Sequence, residues 1–166
     1  MDTNNAELRE YLSGIPKAHY PNIVMILKKA LGLLSRRGGW THQANAKNAK
    51  GDIVITTSEE ACRFCASGAI VRGVHEVRKE SGVSIGDWIV AGILKSVIFE
   101  NDESRAKYGC KEITANHLLP FMQTIHGSNN ASSIIYWNDA MVSKKSQVLA
   151  AFRDAIEIME KVIEEE

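Results

Sequence analysis

The chain carries no excess charge, few cysteines and prolines, and no long apolar run. Twenty basic residues balance twenty acidic ones, so no global field draws it onto nucleic acid or an anionic membrane. No apolar stretch approaches the roughly 20 residues of a membrane span. The opening residues, MDTNNAELREYL, lack the basic-then-apolar layout of a secretory leader. These absences point to a cytoplasmic protein with no membrane partner, and they weigh against nucleic acid. Three cysteines, an odd number, fit reduced thiols better than a disulfide framework. A phosphate-cradling glycine loop of the Walker type is missing, which excludes that class of nucleotide hydrolase.

What is present is helical. With 166 residues and 45% hydrophobic content, the chain can hide about 70% of its unfolded surface in one core. The expected layout is a polar segment over 1–21, in which Leu8, Tyr11 and Leu12 form a short amphipathic turn, then one globular domain over 22–166. Asn22 is positioned to cap a helix through Ile23, Leu27, Ala30, Leu31 and Leu34 that stops at Arg36, Arg37 and Gly38. Thr57 with Glu60 makes a capping box for a central helix over 58–81, on which Cys62, Ala66, Ala69 and Gly73 form a small-residue seam. Such a seam lets another backbone or a flat ligand come close. Ser84 caps a further helix reaching about Glu100, with Val83 stapled onto Trp88. Residues 101–109 read as a loop, and Pro120 interrupts any helix between 111 and 126. Ser132 to Trp137 has the branched and aromatic content of a short strand. Asp52 to Thr56 reads as another, paired in a hairpin with Trp40 to Ala44. Ser143 caps the last helix, whose stripe is Val148, Phe152, Ala155, Ile156, Met159, Val162 and Ile163. The fold class is therefore mainly α (α+β), a single-domain helical bundle around a buried central helix with a small β-hairpin or short sheet.

Three ordered stretches are distinctive: Gly39-Trp40-Thr41, the run Phe64 to Ile70, and Trp137-Asn138-Asp139 followed by a capped helix from Ser143. Together they resemble the uncharacterised bacterial and phage domain-of-unknown-function family 6197. The resemblance implies no reaction; it supplies positions.

Those positions suggest a site. Trp40 and Trp137 could frame a flat ligand while Thr41, His42, Asn138 and Asp139 bond its polar edge, with Cys65 and Gly68 of the central helix as the floor. The expected ligand is a small molecule of nucleotide type, and no cofactor or metal is expected. A phage-encoded protein of this kind would sequester a signalling nucleotide. Beside this stands the structural reading, in which the Asn and Asp side chains merely fix a turn. Cys65 as nucleophile, with His42 or His75 as base and Asp139 as orienting carboxylate, would instead make a cysteine-dependent hydrolase or transferase. Cys62 and Cys65, three apart, could also reach one zinc ion with Cys110 and a histidine, but a second tight ligand pair is missing. A third class is an interaction protein whose final helix pairs with a partner or with a second copy, giving a homo-oligomer.

Overall fold

Apolar periodicity builds the helices, and polar side chains settle how the irregular segments lie across them. The computed structural model describes residues 6–110 and 129–165. Helix α1, Ala6–Ser13, lays Leu8, Tyr11 and Leu12 into the same core as the later helices. Helix α2, Tyr20–Ser35, begins two residues before Asn22, because Pro21 stands in its first turn, where its missing N–H costs nothing. Its buried residues Ile23, Ile26, Leu27, Ala30, Leu33 and Leu34 follow the helical repeat. The chain leaves α2 through Arg36, and Gly38 takes a left-handed φ of 69°.

Downstream of α2 the expected strand pairing is replaced. Strand β1, Ala46–Lys47, runs antiparallel to β2, Arg63–Phe64. Ile53 touches Lys47 through one antiparallel bridge, and Trp40 meets Phe64 through one parallel bridge. The sheet exists, but Arg63 and Phe64, expected in a helix, supply its second strand.

The central helix accordingly starts later than Thr57 suggests. Helix α3 spans Ala66–Ser81 with Cys65 at its N-cap. Upstream, Ser58 Oγ accepts the Glu60 amide in a local turn at 3.2 Å. Arg72 Nη1 then grips the carbonyls of Ser58 at 3.0 Å and Thr56 at 3.3 Å. Burial of Phe64 and its pairing with Ala46 outweigh the local capping signal. The helix ends as expected at Gly82, whose φ of 72° closes the last turn. The small seam does admit a neighbouring backbone: a Cβ on Gly73 would lie 2.8 Å from the Ile26 carbonyl of α2.

Helix α4, Asp87–Phe99, is the most enclosed, with every residue from Val90 to Phe99 buried. Its N-cap is Gly86 rather than Ser84, since Ile85 enters the core and holds the chain extended. Residues Asp102–Lys107 form α5 instead of a loop, capped by Asn101 Oδ1 on the Ser104 amide at 2.9 Å. The interruption expected at Pro120 lies outside the described residues. The expected strand over 132–137 is helix α6, Asn129–Tyr136, followed by a wide π turn over Trp137–Met141. Asn130, Ser133, Ile134 and Trp137 are buried at helical spacing, which outweighs local strand propensity. Helix α7, Lys145–Glu164, is capped at Lys144, where Gln147 Oε1 takes the Lys144 amide at 3.1 Å in place of the expected Ser143 cap. Its stripe from Val148 to Met159 is buried, and α2 and α4 pack against the helix. The architecture is mainly α with one small antiparallel sheet. Among the described residues no helix is long and apolar enough to cross a membrane.

Candidate functional site

The loop from Gly39 to Asn45 crosses the start of α3 as a strap, and one amide fastens it. Asn138, fully buried in the π turn, accepts from Trp40 Nε1 at 2.8 Å and from the Ala66 amide at 3.1 Å. Its Nδ2 donates to the Thr41 carbonyl at 3.1 Å and to Asp139 Oδ1 at 2.7 Å. Two bonds accepted and two donated fill the bonding sites an amide usually uses. Asn138 is therefore a fastener with nothing left for a ligand. Asp139 extends the grip, its Oδ1 accepting the Gln43 amide at 3.0 Å. Gln43 is held at φ 58°, the one described non-glycine residue with positive φ, and its side chain faces solvent.

Beneath the strap, Cys65 caps the start of α3. Its Sγ accepts the Gly68 amide at 3.3 Å and donates to Asn45 Oδ1 at 3.4 Å. Burial pushes the Cys65 thiol up to about 11; the Gly68 N–H pulls the other way, and the Asp139 carboxylate adds to the rise. A nucleophile needs the thiolate. Here Asp139 disfavours it, and the thiol bonds to Asn45 and Gly68 rather than to an imidazole. Cys62 lies upstream of β2, half-buried, so it no longer shares a helical face with Cys65.

The expected ligand-binding residues divide into two groups. Trp137 is buried completely, its indole N–H donating to the Tyr108 carbonyl at 2.8 Å, so it cannot frame a ligand opposite Trp40. Gly68 is covered, because a Cβ there would overlap the Asn45 carbonyl. Cys65 and Asn138 are likewise internal. Trp40, Thr41, His42 and Asp139 remain partly exposed. Trp40 and His42 meet edge to face with ring centroids 4.2 Å apart. His75 stands on the body of α3, ten residues or nearly three turns beyond the Cys65 cap, and half-buried.

Sequence reasoning places Gln43 and Asn45 in a polar loop over 42–50 able to touch phosphates, outside the candidate site. Glutamine carries no signal for left-handed backbone, whereas the glycine at 68 does mark where the Asn45 backbone crosses. Two clefts open elsewhere among the described residues. One, of about 390 Å³, is lined by Arg9, Leu12, Lys17, Tyr20 and Glu165 among others. The other, of about 370 Å³, lies between α1 and Trp88.

Fold and site together define a small helical domain in which a polar strap is locked over a helix start by a buried amide. The chain belongs to the family of unknown function DUF6197, which matches residues 20–158. That span runs from α2 into α7 and includes the strap, the capped start of α3 and the π turn. No curated protein and no solved structure matches the chain.

Proposed function

We propose that the protein binds a flat, polar-edged small molecule of nucleotide type on the face made by Trp40, Thr41, His42, Gln43 and Asp139. The observation that carries this reading is the left-handed Gln43, held by Asp139 beside a partly exposed Trp40–His42 pair. A strained backbone maintained by a saturated buried amide is preorganised, so little ordering entropy remains for a ligand to meet. The ring of such a ligand stacks along the aromatic pair. The second Asp139 oxygen accepts from its ring N–H or amino edge. With Cys65 protonated and buried, retention rather than turnover is the role, as in sequestering a signalling nucleotide.

The test is a thermal-shift screen against nucleotides, cyclic dinucleotides, NAD derivatives and divalent metals, run on the wild type and on His42→Ala. A ligand at a hundred times its Kd stabilises the fold by about 2.7 kcal/mol. One nucleotide class should raise the Tm of the wild type and leave His42→Ala unmoved. The proposal fails if no nucleotide shifts the wild type, or if the variant responds equally.

A further inference from the structure

The short sheet has an open edge. Asn48 N donates to the Asp52 carbonyl at 2.9 Å, and Val54 N donates to the Ala46 carbonyl at 3.2 Å. These bonds flank Ile53 where it bridges Lys47. In an antiparallel ladder the residue between two such bonds turns its own N–H and C=O to the other side. Ile53 therefore presents its backbone groups outward, and Ile55, two residues on, continues the same alternation. Among the described residues, neither Ile53 group and not the Ile55 N–H has a backbone partner, while the Ile55 carbonyl takes one bond from Ser58 N at 2.9 Å.

The side chains match this openness. Ile53 is 73% exposed and Ile55 76%, the two most exposed large apolar residues described. Neither proline nor lysine interrupts Asp52 to Thr56, and the charge of Asp52 stands at the end of the apolar run rather than within it. The segment is also fixed at both ends. Asn48 Oδ1 accepts the amides of Lys50 and Asp52 at 3.0 and 2.9 Å, and Arg72 holds the Thr56 and Ser58 carbonyls.

We propose that this edge pairs with the same edge of a second copy, antiparallel and two-fold about Val54. Ile53-Val54-Ile55 reads identically in both directions, as an isologous contact requires. In that register Ile53 faces Ile55 of the second copy twice: the Ile55 N–H donates to the Ile53 carbonyl, and the Ile53 N–H donates to the second lone pair of the Ile55 carbonyl that Ser58 N already reaches. The four isoleucines then lie on one face and cover one another. Asp52 falls opposite Thr56 of the second copy, which keeps the two carboxylates apart. Zero net charge removes the repulsion that would otherwise oppose association. The contact is small beside the roughly 1,200 Å² of a stable interface, so the dimer is weak and concentration-dependent. This inference is independent of the ligand-binding reading.

Sedimentation equilibrium from roughly 10 μM to 1 mM tests it, on the wild type and on two variants. Ile53→Pro deletes one outward N–H and leaves both inward bonds in place; Ile55→Lys puts a charge on the face. The wild-type mass should climb toward two chains, with slowed amide exchange at Ile53 and Ile55, while both variants stay at one chain with unchanged circular dichroism. A wild type that remains a single chain throughout overturns the proposal, as does a dimer equally strong in both variants. Protection of Ile53 only on adding a foreign extended peptide also overturns it and gives the edge to another strand.

Discussion

The packing of α2 against α3 and the strap over the start of α3 use the same helix by opposite means. Along its body, α3 meets α2 through apolar and small residues, with Gly73 against Ile26 and a buried row of Ala69, Ile70 and Val77. At its start the contacts are polar and individually specified: Asn138 to Ala66, Cys65 to Gly68, Asn138 to Thr41. Apolar contacts are non-directional and tolerate substitution of similar volume. Buried hydrogen bonds are directional, and removing one partner strands the other. The first region should bend under mutation and the second should break.

Replacing the fastener gives the largest expected effect. Asn138→Leu leaves the Trp40 indole N–H, the Ala66 amide and the Thr41 carbonyl without their partner. At about 1–3 kcal/mol for each stranded group, the loss should reach roughly 4 kcal/mol in urea unfolding, discounted where water reaches the strap. A loss under about 1 kcal/mol would mean that water replaces the amide and that the strap is not fastened there.

The two glycines of α3 sharpen the contrast. Gly68→Ala drives a methyl into the Asn45 backbone and should cost about 3 kcal/mol, the upper range for overpacking. Gly73→Ala meets the Ile26 carbonyl at 2.8 Å. Part of that cost is offset by about 1 kcal/mol of gained helix propensity, leaving a net loss of about 1 kcal/mol. Equal values in thermal unfolding would erase the distinction between strap and body.

Relief of strain is a smaller effect of opposite sign. Gln43→Gly removes the penalty of a left-handed φ but frees the unfolded chain, so a net gain of about 0.5 kcal/mol is expected. Ligand-induced stabilisation should fall in the same variant, because the preorganised loop loosens.

Thiol chemistry gives the smallest effect on the fold and the clearest sign. In native protein near pH 7.5, Cys62 should label readily and Cys65 should not, with a mass-spectrometric readout of each site. The Cys65 thiol is raised from its ordinary 9.0 to about 11, so folding favours the protonated form. That contribution is fully present below pH 9 and is lost as pH rises through 11. Cys65→Ala should accordingly show a shallower loss of stability over that window than the wild type. Rapid labelling of Cys65 at neutral pH would return the cysteine enzyme to consideration.

Much of the helical scaffold is legible in the sequence because periodicity is a local signal. Ile23 to Leu34 and Val148 to Met159 repeat every three or four residues, and their helices appear where the stripes lie. Gly82 and the Arg36 to Gly38 exit mark their helix ends for equally local reasons. Local reasoning misplaces the start of α3 because Thr57 with Glu60 is a good local cap, whereas the competing interaction, Phe64 on Ala46, lies 18 residues away in sequence. It also misassigns residues 132–137, because branched and aromatic content hides a row at helical spacing, Asn130 to Trp137, that the fold buries.

The candidate site follows the same division. Residue types at Trp40, His42, Asn138 and Asp139 mark a polar cluster in the sequence itself, and three of those four side chains are joined directly by hydrogen bonds, with His42 against the Trp40 ring. Which atoms face inward is a three-dimensional matter. Trp137 and Trp40 are the same residue type, yet one is sealed beneath Tyr108 and the other lies at the strap. The sequence alone determined a mainly helical domain, its apolar stripes and the residues able to bond. Only the tertiary structure decided that Asn138 is consumed as a fastener, that Cys65 is a cap and that Ile53 lies on an open edge. Hydrogen-bond saturation and burial are properties of neighbours brought from distant parts of the chain, and no local pattern encodes them.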